Sequence, residues 1–497
     1  MSLRSRFRLT LAFALALALL PALPAYGAIS RTLVMDRANR WIDAVVPYSQ
    51  TGWAGADAVI VTSPALGWRR DCSGFASMCW NLPVPGATTS TLPGYAERIE
   101  KEALQPGDLI LRAGVHAVIF GGWVDDTRGE YWAYEMSSSQ SQATGDGSVR
   151  RRTPYPYWNY DPLYLPYRLK DIADNVDYSA YITPVEGSDR YATAVAASRE
   201  AFPDGSVTTA IVASGENWPD ALGASALAGA VAGPVLLTPA GTLPAAVAAE
   251  ITRLGATEVI IVGGGQAVSA AVADTLRALG SVETTRLGGA DRYATATMVA
   301  REAYARAQVA GTEADTTVFV ATGTNFPDAL AASPTAYAHI RPILLTNPAG
   351  LSAETSAALT DIGVTAAVIL GGESAVPSRL ETGLAGLLGT ENVSRVSGED
   401  RYATALALAA HADAACCITY DGAAVASGVG FADALGGGVM AGRLGTVLLL
   451  TPGDRLHPGV AAVLSEYRDT IGTVRCLGGT AAIETITRES IALMLQD

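Results

Sequence analysis

Cys72 stands in the run Arg69-Arg70-Asp71-Cys72-Ser73-Gly74-Phe75, where Asp, Ser and Gly mark a turn opening into a helix. The first turn of a helix carries unsatisfied N–H groups and a partial positive charge, a setting that favours a thiolate, the reactive form of cysteine. Asp71 is expected as the N-cap, with Cys72 in the first turn. A thiol nucleophile needs a base. The chain has 4 histidines, and His339, His411 and His457 fall in a repetitive C-terminal region, which leaves His116 at the head of the apolar run Ala117-Val118-Ile119-Phe120. Glu135, in a segment from Tyr131 to Met136 that pairs back as a hairpin, is best placed to orient the imidazole. A cysteine or a histidine alone is usually structural. A helix-start cysteine followed 44 residues later by a strand-start histidine points to catalysis by a thiol nucleophile and its base.

The elements that must position these groups are legible around them. Arg31 to Val46 reads as a first helix, followed by Pro47-Tyr48-Ser49-Gln50-Thr51-Gly52, a loop, and the Cys72 helix through Trp80. Leu104-Gln105-Pro106-Gly107-Asp108-Leu109-Ile110 reads as a turn into a strand. Pro154-Tyr155-Pro156-Tyr157-Trp158 onward reads as a closing, packing segment, with a carbohydrate-facing surface as the alternative. Cys79, seven residues beyond Cys72, lies about 10 Å along the same helix, too far to bridge, and is expected in the core.

Taken in order, Pro47-Tyr48-Ser49-Gln50, Asp71-Cys72-Ser73-Gly74-Phe75, Leu104-Gln105-Pro106-Gly107-Asp108-Leu109 and Gly114-Val115-His116-Ala117-Val118 resemble the NlpC-type family of peptidoglycan peptidases, over most of residues 31 to 170. The resemblance implies a papain-like α+β domain with Cys72 as nucleophile, His116 as base and Tyr48 on the substrate side. The family's third position, commonly His, Asn or Gln, falls on Glu135, farther from the base than usual because Asp125 to Glu130 lengthen the hairpin. Implied substrates are peptidoglycan stem peptides, cut after γ-D-glutamate. The oxyanion would be held by backbone N–H groups at the helix start around Ser73, helped by the Tyr48 hydroxyl. Arg70 or Arg69 is a candidate reader of a substrate carboxylate, against the alternative that each lies in solvent.

The C-terminal two thirds are built differently. Asp189-Arg190-Tyr191-Ala192-Thr193-Ala194 returns at Asp291 to Ala296 and at Asp400 to Ala405, spaced 102 and 109 residues. Each copy continues with an Ala-rich helix, an apolar run, an aromatic turn (Trp218-Pro219-Asp220, Phe326-Pro327-Asp328, Phe431-Ala432-Asp433), a short strand and a strand ending in paired glycines. The short strands are Pro234-Val235-Leu236-Leu237-Thr238, Pro342-Ile343-Leu344-Leu345-Thr346 and Thr446-Val447-Leu448-Leu449-Leu450. Unbroken apolar strands alternating with helices predict parallel sheets covered on both faces, hence three α/β modules, expected as a pseudo-threefold cluster. The residues resemble the type-two cell-wall-binding repeat of Gram-positive surface proteins. That resemblance implies non-covalent attachment to an anionic secondary cell-wall polymer, with the Pro-Ile-Leu-Leu type segment as contact; copy three departs from it at Thr446 and Ala432. Polymer-binding candidates are Arg190, Arg292, Arg401, Pro234, Leu236, Pro342, Leu344, Trp218 and Phe326, and a basic groove is expected if the arginines, with Arg341, share one face. The alternatives are plain: Asp189, Asp291 and Asp400 as helix caps, the apolar strands as core, and the aromatics as packing between modules.

Arg4, Arg6 and Arg8, an apolar run from Leu9 to Leu20 and the small residue Gly27 follow the grammar of a secretory signal. The expected organisation is a signal over 1–27, the peptidase domain over 28–170, a polar linker over 171–185, and modules over 186–284, 285–394 and 395–497. No later run is apolar enough to span a bilayer, so an exported, wall-associated protein is expected. The net charge is -14, and more negative without the three signal arginines, which argues against nucleic acid as partner. Of 5 cysteines, Cys476 replaces an isoleucine of the other copies and reads as core, with a bridge to Cys416 or Cys417 as the alternative. No cluster has metal-ligand spacing, so no metal or cofactor is expected. The function these readings favour is a tethered peptidoglycan hydrolase. Its alternatives are a surface-layer or adhesion protein with an inactive domain, and an N-acetylmuramoyl-L-alanine amidase or transpeptidase.

Overall fold

The computed structural model describes residues 28–138, 147–174, 176–280, 282–414 and 417–496; the segment expected as a signal and Cys416 lie outside them. Helix α1 (Arg31–Asp43) starts at Ser30, whose hydroxyl accepts from Leu33 N. Helix α2 (Cys72–Cys79) starts at Asp71, whose carboxylate accepts from Gly74 N at 2.7 Å. These helices pack together, and α2 lies across a six-stranded antiparallel sheet. Its strands are β1 (Ala96–Arg98), β2 (Leu109–Arg112), β3 (His116–Trp123), β4 (Glu130–Ser137), β5 (Gly147–Pro154) and β6 (Leu165–Leu169), in the order β1-β6-β2-β3-β4-β5.

Strand alternation divides the side chains between two cores. Leu109, Leu111, Ala117, Ile119, Tyr134 and Met136 join Trp41, Phe75 and Met78. Ile110, Val118, Phe120, Tyr131 and Ala133 form the second core. By parity His116 and Glu135 belong to the second set. The expected hairpin forms, with Ile119 opposite Tyr134 and a register shift between Phe120 and Trp123. Cys79 is fully buried and burial pushes its thiol pKa up, as core placement requires.

Each module carries a four-stranded parallel sheet. In the first, Val235–Thr238, Thr209–Ser214, Glu258–Val262 and Glu283–Leu287 lie side by side. In the second the order is Ile343–Thr346, Thr317–Thr322, Ala366–Leu370 and Val393–Val396. The fourth strand of each sheet runs on into the next module's Asp-Arg-Tyr helix, Arg292–Ala310 or Arg401–Ala414. The third sheet, Thr446–Thr451, Thr419–Ser427 and Val474–Leu477, takes its fourth strand from Ile182–Val185, upstream of the first module. The segment expected as linker therefore ends in a strand that closes a ring, and expected boundaries at 284/285 and 394/395 cut through strands. Sequence spacing marks the repeat unit, but hydrogen bonding assigns each last strand to the sheet behind it.

One apolar core runs through all three modules, contributed by Leu222, Leu227, Leu330, Ala332, Leu435 and Met440 among others, and each sheet has an outer core of its own. Small residues make the centre possible. A Cβ at Gly229, in helix Pro219–Ala230, would press into the Tyr337 carbonyl oxygen, and one at Gly442, in helix Ala432–Leu444, would lie 2.7 Å from the Pro334 carbonyl oxygen. The N-terminal domain docks on the last helix, Thr485–Leu495: Ser30 N and Oγ both donate to the Glu489 carboxylate at 2.6 Å, and Leu493 enters the N-terminal core.

Candidate functional site

Asp71 is an N-cap held from outside. Arg69 Nε donates to its Oδ2 at 2.9 Å, and the Ser73 hydroxyl to its Oδ1 at 3.0 Å. Arg69 also donates to the carbonyls of Gly86 and Ala87, so it braces the helix start instead of lying in solvent. Ser73 is buried and its hydroxyl is committed to Asp71 and Arg69, leaving only its backbone for an oxyanion. Arg70 donates to the Pro47 carbonyl at 3.2 Å, tying down the segment before Tyr48, and its Nε is buried without a partner. Tyr48 is half-buried against the N-terminal core and its hydroxyl accepts from Gln50 at 3.1 Å.

Cys72, His116 and Glu135 come together. The Cys72 thiol lies close enough to His116 to act on its charge, and His116 Nε2 lies 2.5 Å from Glu135 Oε2. With Nε2 committed to the carboxylate, Nδ1 is the nitrogen left for the thiol. The lengthened hairpin does not separate base and carboxylate: in register Glu135 lies diagonally across from His116, within reach. Burial opposes an imidazolium here, but the nearby thiol and the hydrogen bond to Glu135, with the carboxylate's charge, outweigh it and push His116 up to about 9. Burial likewise opposes a charged Glu135, yet His116, Arg151 and Tyr157 hold its carboxyl below the usual range.

Two residues of this cluster were not expected at the site: Arg151 was not singled out, and Tyr157 was expected only in a packing or carbohydrate-facing segment. Arg151, on β5, donates from Nε to Glu135 Oε1 at 2.6 Å, and the Tyr157 hydroxyl donates to Oε2 at 2.7 Å. The Tyr157 ring lies 5.4 Å from the imidazole and stacks on Tyr164 at 4.4 Å. The packing expected of residues 154–168 is present, since Tyr155 lies against Trp123 and Tyr131, but Tyr157 also bonds the carboxylate. The signal in the chain was the run Arg150-Arg151-Arg152, which by itself does not say which arginine faces Glu135.

In the modules, the recurrent motif is a joint. Asp189, Asp291 and Asp400 cap their helices, and Thr193, Thr295 and Thr404 accept from Gly187, Gly289 and Gly398. Arg190, Arg292 and Arg401 each donate to a glycine carbonyl of their own module, Gly215, Gly323 and Gly428. Each guanidinium also lies over an aromatic ring of the preceding module: Arg292 over Trp218 at 5.4 Å, Arg401 over Phe326 at 6.0 Å, Arg190 over Phe431 at 5.7 Å. Trp218, Phe326 and Phe431 in turn pack together, at 6.3 and 5.6 Å. The three arginines thus gather at one end of the ring. Arg341 does not join them; it is buried, pairs with Asp315 and faces His411.

Between the third and first modules a crevice of about 450 Å³ is lined by Asp189, Arg190, Phe326, Phe431, Asp433 and Gly479. Asp220, Asp328 and Asp433 are held up by burial, eased by Arg292, Thr404 and Thr193 of the next module. Leu236 and Leu344 are fully buried, and Pro234 and Pro342 are buried with them, so these four expected polymer contacts are core side chains in, or just before, the edge strands Val235–Thr238 and Ile343–Thr346. Cys476 is a buried free thiol in the third sheet and Cys417 a free exposed one. Among the described residues no group of three His, Cys, Asp or Glu side chains is arranged to hold a metal ion, and no helix is long and apolar enough to cross a membrane.

The ring of three parallel-sheet modules, joined arginine to aromatic, is matched by a family of known repeats. Residues 185–273, 286–381 and 395–487 match the cell wall binding domain 2 model, over half the chain. The chain belongs to the cell wall binding domain 2 family, whose repeats bind cell-wall polymers, and is a cell-wall-associated protein. It is 28% identical over 323 residues, 65% of this chain and 59% of the relative, to N-acetylmuramoyl-L-alanine amidase LytC of Bacillus subtilis (strain 168). Among solved structures, Cwp8 from Clostridium difficile matches 63% of this chain and 52% of its own at 26% identity and a TM-score of 0.55. Cwp6 from the same organism matches 77% of this chain and 61% of its own at 20% identity and a TM-score of 0.56, a likeness of fold. The chain spans less than two thirds of the length of each of these relatives.

Proposed function

We propose that this protein is a wall-tethered peptidoglycan hydrolase in which an NlpC-type, papain-like domain cuts stem peptides through Cys72. The observation that carries the reading is the Cys72–His116–Glu135 relay at a capped helix start, its thiol and imidazole half-buried and its carboxylate fully buried. Cys72 Sγ attacks the peptide carbonyl, and backbone N–H groups of the first turn, with the Tyr48 hydroxyl, stabilise the oxyanion. The C–N bond breaks as His116 gives its proton to the leaving amine. Water, losing a proton to His116, then hydrolyses the thioester and frees the thiol. An imidazole that holds its proton up to about pH 9 is charged at neutral pH and suited to the first transfer. Scission after γ-D-glutamate is the expected outcome.

The anchor, in this reading, holds an anionic secondary polymer at the end of the ring where Arg190, Arg292 and Arg401 meet Trp218, Phe326 and Phe431. Guanidinium groups suit anionic oxygens, and aromatic faces suit sugars. Such tethering makes cutting local, because the anchor sets the effective substrate concentration. A second reading, cleavage of the muramoyl-L-alanine amide, is favoured by the activity that the LytC relative's name states. Its 323 aligned residues are about as many as the three modules hold, so that likeness speaks first for the anchor. Mass spectrometry of purified muropeptides incubated with wild type and Cys72→Ala tests both: products only with wild type establish the hydrolase and their masses name the bond. Uncut spectra across several stem-peptide types leave a wall-binding protein without this activity.

A further inference from the structure

Glu135 is fully buried, yet it serves two cations and a phenol: His116 and Tyr157 on Oε2, Arg151 on Oε1. We propose that Arg151 and Tyr157 are positioning residues that keep Glu135 ionised and aimed at His116 in both protonation states of the imidazole. The inference rests on the reading of Cys72 and His116 as nucleophile and base.

The reason lies in the cycle that base must run. While His116 is charged, a buried carboxylate beside it is compensated. Once His116 hands its proton to a leaving amine, an otherwise isolated Glu135 would be an uncompensated charge in an apolar setting, and would itself draw a proton. Arg151 removes that hazard, since its charge is permanent and its Nε donates straight to Oε1. It also competes for the carboxylate, so His116 is not locked as an imidazolium. Tyr157 acts in the same direction on Oε2, and burial and the neighbouring carboxylate push its own pKa far up, so it remains a donor throughout. Arg151 Nη2 donates to the Tyr157 hydroxyl at 3.3 Å, coupling the two.

The remaining charged or titratable groups nearby cannot replace them. Arg112, one strand away, is paired with Asp161 at 2.5 Å. Tyr131 and Tyr164 are kept neutral by burial, and Cys72 faces the imidazole from α2. Because Arg151 reaches the active centre through Glu135, its loss should show in the pH profile and not only in stability.

The experiment uses the full mature chain as wild type, Arg151→Met, Arg151→Lys, Tyr157→Phe and His116→Ala. Iodoacetamide alkylation of Cys72 is followed from pH 5 to 10 by peptide mass spectrometry, with buried Cys79 as internal control, alongside muropeptide hydrolysis and melting. The expected result is a profile displaced upward by about one pH unit in Arg151→Met, a tenfold rate change on its sloping limb, with partial recovery in Arg151→Lys. Tyr157→Phe shifts it the same way by less, and decides the matter if Arg151→Met does not fold. Unchanged profiles in Arg151→Met and Tyr157→Phe, with only melting altered, overturn the proposal. A His116→Ala profile identical to wild type overturns the underlying Cys72–His116 reading instead. Profiles that move with Arg151 while no muropeptide is cut sustain the positioning role and remove the peptidase.

Discussion

Replacing Glu135 by Gln keeps the size and one acceptor but removes the charge, and its effect can be worked out atom by atom. Arg151 donates to Oε1, so the amide oxygen stays there and the amide nitrogen turns toward His116 Nε2. An N–H facing Nε2 requires that nitrogen as an acceptor, which strips its proton and leaves Nδ1–H toward the thiol, the wrong tautomer for a base. The shift of His116 from its ordinary 6.5 to about 9 is worth about 3 kcal/mol of preference for the charged ring, against burial, and Glu135 supplies both a hydrogen bond and a charge to it. In Glu135→Gln the imidazole is expected to titrate at least about one unit lower, and muropeptide cleavage to fall by 10²-fold or more, on the order of a lost general base. Stability carries a matching signature. A folded-state pKa raised above the unfolded value stabilises fully below pH 6.5, and that contribution, up to about 3 kcal/mol for a side chain 15% exposed, is lost as pH rises through about 9. The decline should be shallower in the variant. Histidine NMR titration, with His116→Ala for assignment, and urea unfolding across pH provide the readings. A wild-type His116 that titrates near 6.5, or a midpoint unmoved by Glu135→Gln, would refute the reasoning.

Two further expectations follow from the ring. Gly229→Ala places a methyl against the Tyr337 backbone, which cannot yield as a flexible side chain would; it should cost on the order of 3 kcal/mol and lower the melting temperature of the modules, whereas Gly241→Ala, where a Cβ meets nothing, should be near neutral. Arg292→Ala together with Arg401→Ala removes two guanidinium groups lying over the rings of the neighbouring module, each worth about 0.5–1 kcal/mol, and should weaken retention on intact walls more than it lowers stability. Equal retention of this double variant and wild type in a wall pull-down would take these residues out of polymer binding.

The sequence was informative where a local rule leaves few choices. Asp71 had to cap a helix, and Cys72 followed from that; His116 emerged because the other three histidines lie in repeats; the three modules emerged because one string recurs three times. Arg151 and Tyr157 were not legible, because an ion pair across strands depends on register, and register is set by pairing partners far apart in the chain. Pro234, Leu236, Pro342 and Leu344 misled for a related reason: motif membership says that a segment recurs, while burial says which way it points.

What the amino-acid order determined by itself was the set of local elements: caps, apolar strands, Ala-rich helices and the candidate nucleophile, all products of interactions within a few residues. What only the tertiary structure decided was ownership and company. Ile182–Val185 belongs to the third sheet although it precedes the first module, and Arg190 lies over Phe431, more than two hundred residues away. Those choices come from closing a ring, in which each module's last strand and its arginine find partners in the sheet and aromatic turn behind them. No short-range periodicity encodes such a closure; it is a solution to burying three apolar faces at once.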